Sequence, residues 1–171
     1  MKLAAPARLA FSLALGLVLT VTSPAFALSC LPVTVPDAYH KAAEAEEVYV
    51  ILHGKLQFDA GKLPVTDWNN QQDTPPETHI QAWFQGKGLS HKGFSHSYDR
   101  IPVSLRVQCF GPWCASIQPQ TDQLLFVQKD GGSYQLTVGP CGGNAFGEPS
   151  KKMLNQVKRC MRGGSCPRSG S

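Results

Sequence analysis

The sequence predicts a small, mainly β domain, built as a twisted barrel or open sheet of five strands with a helix at each end and stabilised by disulfides. Three observations predict it. Apolar residues recur at every second position in several short stretches, and this period of two is typical of strands with one buried face. The segment Asp130-Gly131-Gly132 joins two of these stretches as a hairpin. The six cysteines, an even number, are typical of a disulfide framework in an exported domain.

Residues 1–27 have the three parts of an export signal. Two basic residues precede an apolar run over 9–21, and Ala25-Phe26-Ala27 forms a small-x-small cleavage site. The apolar run is too short to span a membrane. We therefore expect a secreted or periplasmic protein without a transmembrane span. Lipid anchoring at Cys30 is a minor alternative, because Ser29 fits the small residue that such a site requires.

The charge is divided unevenly between a predicted body, 28–147, and a predicted basic C-terminal helix and tail, 148–171. The C-terminal part has six basic residues and one acid, whereas the body has eight basic and eleven acidic residues. A nucleic-acid-binding domain would spread basic charge along its binding face. We therefore expect no nucleic-acid partner. The C-terminal helix could make a weak contact with an anionic envelope surface, although a solvated helix face explains its charge more simply.

The first predicted elements are a helix over Asp37–Glu46 and a strand over Glu47–Phe58. Pro36 suits the first turn of a helix, and acids near a helix start complement its dipole. The strand has apolar residues at even spacing. Gly54 interrupts this strand, which indicates a bulge or a sharp bend, as a small barrel needs at its corners.

A long polar loop follows over Asp59–Glu77, and loops of this length are usually functional or mobile. Trp68 in its middle is either a contact residue or a residue that folds back over an exposed apolar patch. The next strand alternates over Thr78–Gln85. Three glycines within 86–93 then predict a loosened chain before the following strand, Ile101–Val107.

The last predicted elements are a hairpin, with arms 124–128 and 133–138, and a helix over Pro149–Met161. The glycines between the two arms favour a tight hairpin turn, because glycine tolerates positive φ. Apolar residues line one face of the helix, and Gly163-Gly164 ends it.

The cysteines lie at both ends and in the middle of the predicted domain: Cys30, Cys109, Cys114, Cys141, Cys160 and Cys166. Their number allows many complete pairings, and the sequence alone does not choose among them. Cys160 and Cys166 straddle the end of the last helix, which favours a local bridge that pins the tail. Cys109 and Cys114 flank a tight Gly-Pro turn, which favours a disulfide that closes a loop at the end of a strand.

Cys30-Leu31-Pro32, a short helix and a strand that reaches Gly54-Lys55-Leu56 resemble the opening of the netrin-like module, the OB-type barrel shared with the tissue inhibitors of metalloproteinases. Cys109 or Cys114, and then Cys141, match its middle and late cysteines on either side of a hydrophobic strand. The resemblance covers most of the predicted body and implies a five-stranded OB-like barrel. It also implies that Cys30 is bridged to the Cys109–Cys141 region.

The resemblance does not extend to the mechanism of those inhibitors. The animal inhibitors coordinate a protease zinc through the free amine and carbonyl of an N-terminal cysteine. Here Leu28 and Ser29 would precede Cys30 after signal cleavage, so the amine would lie two residues away. The resemblance therefore implies an interaction module and no particular ligand.

We expect a non-catalytic binding or protein-interaction module with no cofactor, no metal and an unknown protein or glycan partner. The candidate binding surface consists of aromatic residues: Trp68, Trp83, Tyr98, Phe110 and Trp113. An aromatic row on one sheet face would indicate a glycan ligand. The five histidines have no spacing that fixes a metal site, so we expect them to be solvated. The sequence contains no serine-nucleophile elbow, phosphate loop or zinc-protease motif.

The main alternative is a periplasmic thiol–disulfide redox protein that uses Cys109 and Cys114. Their Gly-Pro-Trp segment resembles thioredoxin-type active sites, in which a cysteine of low pKa opens a helix. Here four residues separate the cysteines instead of two, and Pro119 disfavours a helix after Cys114. A structural disulfide is therefore the preferred interpretation. A glycan- or peptide-binding OB domain is the other alternative.

Overall fold

The computed structural model describes residues 28–170, so the predicted signal over 1–27 lies outside the described residues. The domain is mainly β, with two α-helices and three disulfide bonds. Its elements in chain order are α1 (Val35–Glu44), β1 (Tyr49–Gln57), β2 (Glu77–Ser90), β3 (Gly93–Phe110), β4 (Trp113–Cys114), β5 (Asp122–Asp130), β6 (Ser133–Val138), β7 (Ala145–Gly147) and α2 (Lys151–Met161).

The five longer strands pair in a ring. β1 pairs antiparallel with both β2 and β5, and β2 pairs antiparallel with β3. β6 lies between β3 and β5, parallel to β3 and antiparallel to β5. Each of the five strands therefore has a neighbour on both sides. The two short strands extend this arrangement, because β4 pairs with the end of β3 and β7 pairs with β5.

The inner core confirms the alternation predicted from the sequence. Every second residue is buried where β2 and β3 run beside each other, as at Ile80, Ala82 and Phe84 in β2. Leu52 and Leu56 of the neighbouring strand β1 belong to the same cluster, and Leu56 lies directly opposite Phe84. Aliphatic side chains make up most of this inner core, so they fill the interior of the ring without burying a charge.

A second core lies outside the ring, under the two helices. Ile51 of β1 and Phe126 of β5 project outward there, against Ala38 of α1 and Val157 of α2. β5 is therefore buried on both faces over Leu124–Val127. Burial on both faces explains why this strand has an unbroken apolar run instead of an alternating one.

The helix boundaries differ slightly from the predicted ones. α1 begins at Val35, before the predicted start, because Thr34 caps it. Asp37 accepts a hydrogen bond from the Thr34 backbone N at 3.0 Å, and the Thr34 hydroxyl faces the Asp37 backbone N in return. This reciprocal arrangement satisfies two amides that would otherwise lack partners. α2 begins at Lys151, capped by Ser150, and ends near the predicted residue.

The prediction of a loosened chain over 86–93 was wrong. β2 has 14 residues and β3 has 18, and they form one long hairpin that turns only at residues 91–92. The glycines here allow close approach. A Cβ added to Gly88 would lie 2.6 Å from the ring of Tyr98, and one added to Gly86 would lie 2.3 Å from the backbone oxygen of His53.

The bulge that the sequence predicts at Gly54 is absent, because β1 pairs regularly with both β2 and β5 there. Gly54 in β1 lies directly opposite Gly86 in β2. The irregular pairing itself occurs one strand further on, where the register between β2 and β3 shifts between Phe84 and Gly86. Two facing glycines let the backbones approach more closely than side chains would permit.

The tail after α2 folds back onto α1. His40 Nε2 lies 2.7 Å from the Cys166 carbonyl oxygen, and the Ser169 backbone N donates to Asp37 at 2.9 Å. Hydrogen bonds from Ser169 and Thr34 hold the pKa of Asp37 well below its usual range. The Cys160–Cys166 bridge predicted from the sequence is present and closes this turn of the chain.

Candidate binding groove

An open groove of about 490 Å³ lies between the loop 58–76 and the turn that joins β3 to β4. Trp68 from the loop and Trp113 from the turn both line it. Most of the remaining lining is apolar and rich in proline: Leu63, Pro64, Pro112 and Pro140 among others. None of the lining side chains in the described part of the chain is charged. The groove can therefore receive apolar groups without leaving a charged side chain unpaired.

Strand pairing positions the aromatic residues of the turn. Phe110 and Trp113 lie directly opposite each other in the short β3–β4 ladder, which places their side chains on one face. The Cys109–Cys114 disulfide closes the same ladder one pair further in. The Ala115 backbone N donates to Gln108 O at 2.9 Å and continues the pairing. Phe110 and Trp113 remain 49% and 37% exposed.

Local hydrogen bonds position Trp68. Asp67 accepts from the backbone N of Asn69 at 2.8 Å and from the Asn70 side chain at 3.0 Å, and these bonds lower the pKa of Asp67. Thr66 Oγ1 donates to Pro112 O at 2.7 Å and so ties the loop to the turn. Trp68 stays 64% exposed while it lines the groove, which is the geometry expected of a contact residue.

The other predicted surface residues lie elsewhere. Trp83 is on β2, with the Arg100 guanidinium 4.8 Å above its ring, beside a small cleft of about 70 Å³. Tyr98 is partly buried and packs edge-on against Phe84 and Tyr134 on the inner side of the sheet. Burial raises the pKa of the Tyr98 hydroxyl. The five predicted aromatic residues therefore do not form one row on one sheet face.

Sequence reasoning missed the apolar residues that complete the groove. Leu63, Pro64 and Pro140 belong to no periodic pattern, because all three lie in loops. Long-range links bring them together, namely the Thr66–Pro112 hydrogen bond and the Cys30–Cys141 disulfide beside Pro140. The density of prolines around Trp68 and Trp113 is the one sequence signal that could have indicated a shared surface.

All six cysteines are paired, as Cys30–Cys141, Cys109–Cys114 and Cys160–Cys166. The bridge of Cys30 ends within the region that the resemblance implied. Cys109 is 4% exposed and lies on a strand, and residues 115–120 after Cys114 form no helix. Reactive cysteines are usually activated by a helix N-terminus or a nearby cation. The surroundings of this pair are those of a structural disulfide.

We therefore expect Cys109–Cys114 to stay oxidised at potentials above about −250 mV. The check is to equilibrate the protein in glutathione and dithiothreitol buffers and count modified thiols by peptide mass spectrometry. The Cys160–Cys166 pair, closed over a loop of similar length, is the internal reference. Reduction of Cys109–Cys114 alone at about −200 mV would instead support the redox alternative.

The histidines are dispersed. His40 and His53 are partly buried, and each has a polar partner, Cys166 O at 2.7 Å and an Asp122 carboxylate oxygen at 2.9 Å. The other three are exposed: His79, His91 and His96. Among residues 28–170, no three His, Cys, Asp or Glu side chains are grouped so that they could hold a metal ion. In the same part of the chain, no helix has the length and apolar character needed to cross a bilayer.

The fold and the groove define a class: a mainly β, disulfide-linked domain with a preformed apolar groove on its surface. Comparison with known proteins finds no significant match. No protein-family model matches the chain, and neither a curated protein nor a solved structure is significantly similar to it.

Proposed function

We propose that this chain is an exported, non-catalytic binding module with a netrin-like, five-stranded OB-like barrel, and that the groove of Trp68 and Trp113 holds an apolar segment of a protein partner. The strand order supports the barrel. OB barrels are partly open and five-stranded, and a ring of five paired strands closed by a parallel pair is compatible with that description. The three parts of an export signal within 1–27 support export.

One observation carries the binding role: two exposed tryptophans line a groove that has no charged side chain and is already formed in the free chain. Tryptophan is among the residues that contribute most to protein interfaces, particularly where apolar surface surrounds it. The Cys109–Cys114 disulfide and the Thr66–Pro112 hydrogen bond hold the groove in shape. A preformed site loses little conformational entropy on binding, which favours affinity.

A protein segment fits the groove better than a glycan does. The hydroxyls that line the groove belong to Thr66 and Ser116, and the Thr66 hydroxyl already donates to Pro112 O. Sugar hydroxyls need polar partners, because a buried hydroxyl without a hydrogen bond destabilises the complex. An apolar or proline-rich peptide segment has fewer such requirements.

Selection from a random peptide library on the exported protein tests this role. We expect the selected peptides to lose roughly tenfold to hundredfold in affinity when Trp68→Ala or Trp113→Ala is introduced, because each change removes an aromatic anchor. Trp83→Ala is the matched control, since Trp83 is as exposed as Trp113 but lies on β2. Its affinity should stay within about twofold of the wild type.

Two outcomes would contradict the groove. Peptides that bind all three variants equally would show that the site lies elsewhere. Binding of a glycan that only Trp83→Ala abolishes would favour the second candidate, a glycan-binding domain. Trp83 has planar polar neighbours that suit sugar hydroxyls, with Asp99, Gln57 and Gln85 lining the adjacent cleft.

A further inference from the structure

The tip of the β2–β3 hairpin packs against α2, a contact that no sequence pattern indicates. Leu89 and Phe94, on either side of the turn, contact the outer core that contains Val157 of the helix. Gly93 lies beside Lys158, and a Cβ added to Gly93 would be 3.8 Å from Lys158 Cδ. Two segments far apart in the chain therefore form one surface.

Both segments are basic. No acid occurs within 86–98 or 149–171. Lys92 is exposed in the hairpin turn and directly precedes Gly93, which lies beside Lys158. Arg162 Nε donates to Lys158 O at 3.1 Å. Lys151 lies two turns before Lys158 on the same side of the helix. These four residues, Lys92, Lys151, Lys158 and Arg162, are named the basic patch.

Acids elsewhere in the described residues do not pair with the basic patch. None of its four residues forms an ion pair with an acid within 28–170. The tail's Arg168 pairs instead with Glu44 of α1. Glu148 precedes α2 and lies near its first turn, about 16 Å along the helix axis from its last residue. A screened charge at that distance has little effect on the other end of the patch.

We infer that the basic patch binds the headgroups of an anionic lipid bilayer by charge alone. A planar surface can contact a hairpin tip and a helix side at the same time, whereas a single polyanionic chain binds best along a continuous groove. The apolar face of α2 is buried in the outer core, at Val157 and Cys160, so it is not available to insert. None of the large exposed hydrophobic residues of the described chain lies on α2 or at the hairpin turn. Binding is therefore peripheral and reversible by salt.

This surface is independent of the groove. Gly93, beside the basic patch, and Phe110, beside the groove, are the two ends of the 18-residue strand β3. A molecule held to a bilayer by its patch can therefore keep the groove free for a partner. The predicted export signal would deliver the chain to a compartment bounded by such membranes.

Vesicle co-sedimentation of the exported chain, 28–171, tests the inference. We expect binding to phosphatidylcholine vesicles that contain roughly 30% phosphatidylglycerol at about 50 mM NaCl, and release at about 300 mM, because salt screens the attraction. Vesicles of phosphatidylcholine alone should not bind. The triple variant Lys92→Gln/Lys158→Gln/Arg162→Gln should lose more than about tenfold in affinity, since each cation near the surface adds several-fold.

A second triple variant, Lys41→Gln/Lys55→Gln/Lys62→Gln, changes the net charge equally but at exposed positions outside the patch. It should keep its affinity within about threefold. Equal losses in both triple variants would show that net charge acts without a patch and would overturn the inference. Binding to a sulfated polysaccharide but not to the anionic vesicles would overturn it in favour of a glycan. Trp68→Ala should bind vesicles like the wild type, so failure here and failure of the groove are distinguishable.

Discussion

Replacing Gly86 with alanine is expected to lower the free energy of unfolding by about 3 kcal/mol, because the new methyl group has no space. An added Cβ would lie 2.3 Å from His53 O, 2.8 Å from Gly54 Cα and 2.7 Å from the Phe84 ring. The first two are backbone atoms of the paired strand, and the third belongs to a side chain that is fully buried. Relief of the clash requires β1 and β2 to separate where Gly86 and Gly54 lie opposite each other.

Urea unfolding followed by tryptophan fluorescence measures this effect. Gly132→Ala is the matched control, because a Cβ there meets no atom within 4 Å. It should change the free energy of unfolding by less than about 0.5 kcal/mol. Gly88→Ala should fall between the two, since its Cβ would meet a side-chain ring, that of Tyr98, at 2.6 Å. An unchanged midpoint for Gly86→Ala would show that the two strands do not approach each other this closely.

The strands that the sequence predicted well are those whose periodicity is set locally. β1, the Ile101–Val107 part of β3 and the β5–β6 hairpin appear where alternation or a double glycine indicated them. The extension of β2 and β3 into one long hairpin was missed, because glycine usually indicates a break or a loop. A glycine is instead required at position 86 because the backbone of Gly54, some thirty residues earlier, lies directly opposite it. Such a contact is visible only after the chain has folded.

The candidate site was predictable only in part, for a related reason. Trp68 and Trp113 were singled out as exposed aromatic residues, and both line the groove. Tyr98 was placed with them, yet it packs inward. The pairing of β2 with β3 shifts between Phe84 and Gly86, and a shift of one residue reverses which face of a sheet a side chain occupies. Counting every second residue along the sequence therefore assigns the wrong face to side chains beyond such a shift, as it does for Tyr98.

Removal of the Cys30–Cys141 disulfide is expected to have the largest effect, a loss of about 4 to 5 kcal/mol in the free energy of unfolding. The two cysteines are 111 residues apart, so the bridge closes a loop that contains most of the domain. Without it, the unfolded chain gains the entropy of that whole loop. The folded chain changes less, because Thr34 and Asp37 fix the start of α1 only a few residues after Cys30.

Two double variants distinguish the effect of loop entropy on the free energy of unfolding from the effect of local contacts. They are Cys30→Ser/Cys141→Ser and Cys109→Ser/Cys114→Ser. The second bridge spans only 5 residues, and its loss should lower the free energy of unfolding by about 2 kcal/mol on the same argument. Urea unfolding of both variants at one pH gives the comparison. If the short bridge proves as important as the long one, the disulfides act mainly by holding local structure. The shape of the groove around Trp113 would then depend directly on Cys109–Cys114, and the tryptophan variants would have to be compared in the oxidised protein only.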